Sequence, residues 1–199
     1  MGSNSTGDTL EDAQLLLIQF PNPTANDLIS LVNRTSTISE SDSKQMFKAF
    51  TGSQQGAMVH RGFYGEWLAV KPMVLPALKA MTQRYPDYDI SFVGHSLGGA
   101  MAVVGAADAV VDGLAPATRV RIITFGQPRV GNSAFRDFVN GMKFKEISRI
   151  VQSGDIIPHL GLASWGFSHI SKEYFVEKGG SMRTCNDSDM ATMGRIRTV

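Results

Sequence analysis

Several features that define other classes of protein are scarce or absent in this chain of 199 residues. A single cysteine, Cys185, excludes an intrachain disulfide. No apolar run reaches the roughly 20 residues that a helix needs to cross a bilayer, so no transmembrane segment is predicted. The polar N-terminus does not have the pattern of a signal peptide. The formal net charge is only +1, which gives no reason to expect a nucleic-acid partner.

The rest of the composition is that of an ordinary folded domain. Hydrophobic residues make up 43% of the chain and charged residues 19%, and the length is sufficient for one domain with a substantial core. No internal repeats are visible. We therefore expect a single domain over residues 1–199, in which residues 1–13 form a flexible lead-in.

Short apolar runs alternate with segments of helical periodicity along the chain. Strands are predicted at Leu15–Phe20, Asp89–Val93, Val120–Phe125, Ser148–Gln152 and Tyr174–Val176. Helices are predicted from Glu66 to Tyr85, from Gly99 to about Val111 and after Asn132, with Pro72 and Pro76 bending the first or marking its start. This alternation predicts an α/β fold with a mostly parallel central sheet and helices on both of its faces.

The most informative motif is the pentapeptide Gly94–Gly98, which has the form G-x-S-x-G with Ser96 at its centre. A predicted strand precedes it, and a run of small apolar residues that favours a packed helix follows it. A serine on such a tight turn is held in a strained backbone conformation, with its hydroxyl exposed above the sheet. The helix N-terminus behind it favours developing negative charge. The sequence therefore predicts a nucleophile elbow, and an ordinary glycine-rich turn is the alternative.

A serine hydroxyl needs a base, which is usually a histidine oriented by a carboxylate. In sheets of this kind the chain order is serine, then acid, then histidine. Asp155 is the best candidate for the acid, because it follows a predicted strand and its apolar neighbours would shield it from water. Ser96 and Asp155 both come just after a strand, so they can share one edge of the sheet. A turn-forming Gly-Asp pair is the alternative for Asp155.

Six blocks of sequence, in their order and spacing, resemble the class 3 (fungal-type) triacylglycerol lipase family of α/β-hydrolases. The blocks are residues 59–64, 93–100, 124–132, 149–151, 155–160 and 166–169. The resemblance covers about Leu15 to Phe175 and implies an α/β-hydrolase fold, apparently truncated at both ends. It implies a lipase or esterase that cleaves triacylglycerols or similar acyl esters through an acyl-enzyme on Ser96, with no metal or cofactor. It also makes Asp155 the triad acid and the backbone N–H of Leu97 an oxyanion-hole donor.

Two departures from the family's pattern bear on activity. The family's second oxyanion donor follows its first strand, in a Phe-Arg-Gly-Ser or Phe-Arg-Gly-Thr stretch, where this chain has Phe20–Pro23. Pro23 has neither a hydroxyl nor a backbone N–H, so Asn22 or Thr24 would have to donate instead. The family's catalytic histidine lies near its C-terminus, and no histidine follows His169 in this chain.

Each of the four histidines therefore has to be weighed as the base. His95 adjoins the elbow serine but points away from it in an elbow, so packing or a hydrogen bond at the turn is expected. His60 precedes the serine and matches a family position that is structural. His159 is too close to Asp155 in sequence to approach it easily from the far side. His169 has the right order and is the remaining candidate, although its matching family position is non-catalytic.

Residues 24–56 correspond to the family's lid, which would open at a lipid surface and admit an acyl chain. Its apolar face would be formed by Leu28, Ile29, Leu31 and Val32. The alternative is a helix that stays packed on the core.

The sequence leaves three functional alternatives. A working hydrolase of lipid metabolism, with an acyl-ester or lipid substrate, is favoured by Ser96, Leu97 and Asp155. A catalytically inactive or truncated lipase-like domain that acts as a binding domain is favoured by Pro23 and the missing histidine. An acyltransferase that uses the same nucleophile is the third. The resemblance implies secretion, although no signal peptide is recognised.

Overall fold

The chain folds into strands and helices that alternate as the sequence predicts. The computed structural model describes residues 15–19, 47–50 and 56–185, the first of these ranges by its backbone alone. The strands are β1 (Leu15–Gln19), β2 (Phe47–Ala49), β3 (Met58–His60), β4 (Asp89–His95), β5 (Val120–Phe125), β6 (Gly131–Asn132), β7 (Glu146–Gln152), β8 (Phe167–Ser168), β9 (Glu173–Val176) and β10 (Met182–Cys185). The helices are α1 (Arg61–Arg84), α2 (Leu97–Val111) and α3 (Ser133–Gly141), with 3₁₀ turns at Ala117–Arg119, Ile157–His159 and Ala163–Trp165.

The central sheet has the strand order β1-β4-β5-β7-β9-β10. All of its neighbouring strands are parallel except β9 and β10, which are antiparallel. The predicted mostly parallel sheet is therefore confirmed, and the ends of its predicted strands are right to within two residues. β10 was not predicted from the sequence.

Helix α2 carries the chain from β4 back to the start of β5, as a parallel pair requires. Every residue from Gly98 to Ala109 is buried. Because these residues are glycine, alanine, valine, methionine and one aspartate, α2 lies close against β4 and β5. Helix α3 lies between β5 and β7 in the chain and follows Asn132 as predicted. Asn132 caps it, since its Oδ1 accepts the N–H of Phe135 at 2.9 Å.

Helix α1 begins five residues before the predicted start at Glu66. His60 caps it, because its Nδ1 accepts the N–H of Phe63 at 3.4 Å. Pro72 and Pro76 lie inside the helix and not at its start, and both are exposed. Each proline removes one backbone donor, a loss that is tolerable on a solvent-facing stripe. Among the described residues, no helix combines the length and the apolar character needed to cross a membrane.

A second, smaller sheet has the order β2-β3-β6-β8 and is antiparallel throughout. The sequence did not predict it, because strands of two or three residues show no periodicity. β2 belongs to the stretch 24–56 that was assigned to the lid, and the residue after it, Phe50, is 3% exposed and packs against Tyr64 and Phe135. Residues 24–46 and 51–55, with the predicted apolar face, lie outside the described residues, as do residues 1–13 and Pro23.

The interface between α1 and α2 contains a buried polar link. The indole N–H of Trp67 donates to Oδ2 of Asp108 at 2.6 Å, and Nζ of Lys71 lies 2.8 Å from the same oxygen. A Cβ on Gly105 would come within 2.8 Å of the Trp67 ring, so the glycine lets the indole lie flat on α2. This packing fixes the helix that carries Ser96 at its N-terminus.

Candidate active site

Ser96 occupies a sharp turn between β4 and α2. Its backbone angles are φ 54° and ψ −121°, in the left-handed half of the map that residues other than glycine rarely adopt. The N–H of Ser96 donates to the carbonyl of Phe125 at 2.8 Å, which ties the turn to the end of β5. The carbonyl of Ser96 accepts the N–H of Gly99 at 3.0 Å and so begins α2. The pentapeptide therefore forms the strand-to-helix turn that the sequence predicts.

Two glycines make room for this turn. A Cβ on Gly94 would lie 2.1 Å from the carbonyl oxygen of Gly98, a backbone atom that cannot move aside. A Cβ on Gly99 would lie 3.2 Å from Cβ of Gln127 and 3.3 Å from Cβ of Thr124. The first glycine is required for the strand to meet the helix, and the second lets α2 approach β5.

The hydroxyl of Ser96 is buried, so the expectation of an exposed Oγ is wrong. Ser96 is 1% exposed, and its Oγ has no hydrogen-bond partner among the described residues. Leaving such a group unpaired destabilises the fold by about 1–3 kcal/mol. An unpaired buried hydroxyl is therefore expected where the group has another use. A reacting atom can reach this hydroxyl only after the groups that cover it move.

Leu97 is the first residue of α2. A backbone N–H at this position has no carbonyl one turn earlier within the helix, so it is available to a ligand. The helix dipole adds partial positive charge at the same end. The turn therefore offers a hydroxyl and an adjacent donor for negative charge.

Asp155 follows β7 at the same edge of the sheet, where β5 lies between β4 and β7. Its Oδ1 accepts the N–H of Ile157 at 2.9 Å. Its Oδ2 lies 2.6 Å from the position that a Cβ on Gly126 would occupy, and Gly126 has φ 57°. Asp155 is half-buried, and the next residue, Ile156, is 60% exposed, so it does not provide the expected apolar shield.

The imidazole of His95 lies near Gly126, as the carboxylate of Asp155 does. Its Nε2 is 3.7 Å from the position that a Cβ on Gly126 would occupy, so the imidazole and the Asp155 carboxylate flank that α-carbon together. The ring is exposed and forms no hydrogen bond with the described residues. The hydrogen bond that was one of the two expectations for His95 is therefore not formed with these residues, whereas the ring does lie beside Gly126.

His169 is 1% exposed, and its Nε2 lies 2.8 Å from the carbonyl oxygen of Pro158. A carbonyl only accepts, so this nitrogen carries the proton. Burial, together with the guanidinium groups of Arg149 and Arg129, holds the pKa of His169 well below its usual value and keeps the ring neutral. The structure does not bring His169 to the hydroxyl of Ser96, which argues against it as the base.

The other two histidines have different surroundings. His159 is half-buried, and burial lowers its pKa, reinforced by Arg129 and opposed by Asp155. His60 caps α1 with its Nδ1. Within the described residues, no hydrogen bond joins any of the four histidines to Ser96 or Asp155.

Buried charged residues behind this edge were not singled out from the sequence. Arg129 is 4% exposed, and its Nη1 donates to the carbonyls of His159 at 3.0 Å and Gly161 at 3.1 Å. Arg149 and Glu173, both fully buried, form an ion pair at 3.0 Å. Arg129 and Arg149 lie in blocks that carried the family resemblance, but their partners come from about 20 to 30 residues further along the chain. No local pattern reveals such pairing.

Known sequences resemble the chain over most of its length. The profile of the lipase (class 3) family matches residues 2–165. Lipase A of Sodiomyces alcalophilus is 38% identical over 131 residues, which are 60% of this chain and 31% of that protein. Secreted mono- and diacylglycerol lipase 2 of Gibberella zeae is 35% identical over 129 residues, again 60% of this chain and 31% of the relative. The chain thus spans about a third of the length of these curated relatives.

A solved structure shares the architecture. A triacylglycerol lipase whose catalytic centre is formed by a serine protease triad superposes with a TM-score of 0.72 at 26% identity, covering 84% of this chain and 63% of that one. The prediction of an α/β-hydrolase fold is confirmed, over the part of that fold which the chain spans.

Proposed function

Because the chain belongs to the lipase (class 3) family, we propose that it is a serine hydrolase of acyl esters, with Ser96 as nucleophile. Asp155 is the triad acid, and the backbone N–H of Leu97 is one oxyanion donor. The observation that carries the proposal is the conformation of Ser96, a non-glycine residue at φ 54° whose buried Oγ has no hydrogen-bond partner among the described residues. A fold has no structural need for a strained residue with an unsatisfied hydroxyl.

In the proposed reaction, Oγ of Ser96 bonds to the carbonyl carbon of the ester while its proton passes to a base. Negative charge develops on the carbonyl oxygen, where the N–H of Leu97 and the N-terminal end of α2 stabilise it. The ester C–O bond then breaks, and the alcohol leaves with the proton. Water attacks the acyl-enzyme in the same way, which releases the carboxylic acid and restores the hydroxyl.

Two histidines are candidates for the base that takes the proton of Ser96, and an experiment decides between them. His95 is exposed and lies beside Gly126, as the Asp155 carboxylate does, so we propose its imidazole as the base. His169 is buried and bonded to Pro158, which counts against it. A base removed from a triad lowers turnover by on the order of 10⁶-fold, so the two variants separate clearly.

Access to Ser96 supports a gated site. The hydroxyl is covered, so we propose that a lid within residues 24–56 uncovers it at a lipid surface. Since a relative of this chain is named a secreted mono- and diacylglycerol lipase, acylglycerols are the proposed substrates and secretion is the proposed destination. Gating predicts that the rate of tributyrin hydrolysis rises steeply above the solubility limit of tributyrin.

The test is covalent labelling and burst kinetics on the full 199-residue chain. A fluorophosphonate probe reports on the nucleophile, and the burst of p-nitrophenol from p-nitrophenyl butyrate reports on acyl-enzyme formation. The variants are Ser96→Ala, His95→Ala and His169→Gln. Ser91→Ala is the matched control, because Ser91 is also a buried serine of this strand–turn unit whose hydroxyl has no partner among the described residues.

Labelling that is lost in Ser96→Ala and retained in Ser91→Ala supports the proposal. A burst that is lost in His95→Ala, with folding intact, assigns His95 as the base. A folded chain that labels no faster than Ser96→Ala overturns the proposal and leaves a lipase-like domain without hydrolase activity.

A further inference from the structure

Four consecutive backbone carbonyls that follow Asp155 in the chain accept hydrogen bonds from two buried residues, three from side chains and one from a backbone N–H. Nε2 of His169 donates to the carbonyl of Pro158 at 2.8 Å. Nη1 of Arg129 donates to the carbonyls of the first and third residues after Pro158, and the N–H of Arg129 donates to the carbonyl between them at 3.1 Å. Residues 158–161 therefore cannot shift without breaking hydrogen bonds in the interior.

This held segment is directly connected to the Asp155 carboxylate. Ile157, whose N–H donates to Oδ1 of Asp155 at 2.9 Å, begins the 3₁₀ turn that contains Pro158. The proline ring fixes its own φ, and the N–H of Leu160 donates to the carbonyl of Ile157 at 3.0 Å. The N–H that donates to Asp155 and the carbonyl that accepts from His169 are therefore held in one closed turn. A displacement of the Pro158 carbonyl would therefore displace the N–H that orients the carboxylate.

We infer that His169 and Arg129 are positioning residues for Asp155, which act through the turn at residues 157–159 and do not touch the substrate. The inference rests on the proposed function, in which Asp155 is the triad acid. It gives His169 a role different from the one that its place in the chain suggested, since the imidazole orients the acid and does not take a proton from Ser96.

The charges around His169 favour this role. Arg149 on β7, Arg129 on the segment before β6 and His159 on the 3₁₀ turn all oppose a second proton on the ring. A neutral ring has one N–H, and the carbonyl of Pro158 fixes it on Nε2. The contribution of His169 is therefore a single neutral donor, which a glutamine amide reproduces at the Nε2 position and a phenylalanine does not.

The test follows the backbone N–H of Ile157 by NMR in the ¹⁵N-labelled full chain. Its proton shift reports the ionisation of the carboxylate that it touches, and its hydrogen-exchange rate reports the strength of that bond. The variants are His169→Phe, which fills the space without a donor, and His169→Gln, which retains one. Ile170→Val is the control, because it perturbs the adjacent buried residue, 1% exposed, and leaves the donor in place.

We expect His169→Phe to accelerate exchange at Ile157 by about tenfold or more, the effect of losing one buried hydrogen bond. The pH-dependent shift of the Ile157 N–H should lose most of its amplitude in the same variant. His169→Gln should restore both quantities, and Ile170→Val should leave both near wild type. If His169→Phe does not fold, His169→Asn replaces it, because its shorter amide does not reach Pro158.

Equal changes in His169→Phe and Ile170→Val would overturn the inference, since they would show only general loosening. So would a normal Ile157 titration in His169→Phe. A dependence of Ile157 on His169 in a chain whose Ser96 does not label with fluorophosphonate would overturn the proposed function while supporting the positioning of Asp155. If Ser96 labels but exchange and titration at Ile157 do not depend on His169, the proposed function is supported and the positioning of Asp155 by His169 is overturned.

Discussion

The carboxylate of Asp155 lies directly over the α-carbon of Gly126, at a point that no side chain can share with it. Oδ2 is 2.6 Å from the position that a Cβ on Gly126 would take, whereas two such atoms in van der Waals contact lie well beyond 3 Å. Gly126 follows β5, and its N–H donates to the carbonyl of Ile150 on β7 at 2.9 Å. The gap left by this glycine is therefore what allows the acid from β7 to reach the edge next to the elbow.

Gly126→Ala should abolish or strongly reduce the Ser96 burst. The new methyl group would displace the Asp155 carboxylate. In addition, position 126 has φ 57°, which strains a residue with a Cβ by about 1–2 kcal/mol. The measurement is burst amplitude alongside thermal unfolding. Gly113→Ala is the matched control, because Gly113 has φ 69° with no atom within 4 Å of its Cβ position. It should lose similar stability and keep the burst, and a full burst in Gly126→Ala would contradict the prediction.

Gly94→Ala should destabilise the whole fold. Its Cβ would lie 2.1 Å from the carbonyl oxygen of Gly98, so strand and helix must separate at a cost of about 3 kcal/mol or more. Gly65→Ala is the contrast, since Gly65 is exposed in α1 with nothing within 4 Å. That substitution should stabilise the helix by about 0.5–1 kcal/mol. Urea unfolding of both variants measures the difference, and similar midpoints would show that the overlap at Gly94 relaxes.

Asp108→Ala should destabilise the packing of α1 on α2 by about 1–3 kcal/mol, because the buried indole N–H of Trp67 loses this acceptor, whereas Lys71 keeps a second carboxylate. Asp112→Ala removes the second carboxylate beside Lys71, at 3.1 Å, but this group is 40% exposed. It should therefore cost less than about 1 kcal/mol. Chemical unfolding followed by Trp fluorescence separates the two, and equal losses would refute the importance of the buried bond.

Protonation of His169 should weaken the fold below neutral pH. Burial is the main cause that holds the pKa of His169 in the folded state well below the ordinary 6.5, and the charges of Arg149 and Arg129 add to it. The unfolded chain therefore binds the proton first as pH falls. The contribution is complete above about pH 6.5 and declines below that value toward the folded-state pKa. His169→Gln should show a shallower loss of unfolding free energy between pH 7.5 and pH 5 than the parent. His159→Gln controls for the other histidine with a lowered pKa, and parallel curves for parent and His169→Gln would be the contrary result.

The sequence predicted the parts of the fold that depend on local pattern. The run from Asp89 through Val111 contains a strand, a G-x-S-x-G turn and a helix of small residues, and each has its own composition. The ends of β4 and α2 followed from it to within two residues. Ser96 and Asp155 lie at one edge, because parallel strands bring their carboxyl ends together.

The remaining features depend on contacts between distant segments. β6 and β8 have two residues each and exist only through their pairing with other strands, β6 with β3 and β8, and β8 with β6. The start of α1 depends on the imidazole of His60, a residue that sequence rules do not associate with caps. The role of His169 depends on a carbonyl 11 residues earlier, and the burial of Ser96 depends on the packing around it. Neither spacing nor composition contains this information.

The burial of α2 from Gly98 to Ala109 also determines how the turn at Ser96 unfolds. A helix with no exposed stripe cannot detach by itself, because its detachment would expose the apolar interior on both of its sides at once. The amide protons of α2 should therefore exchange only through global unfolding events, at the slowest rate in the molecule. Reactivity at Ser96 and the native state should then disappear together on heating, which makes a covalent serine probe a direct indicator of cooperative unfolding.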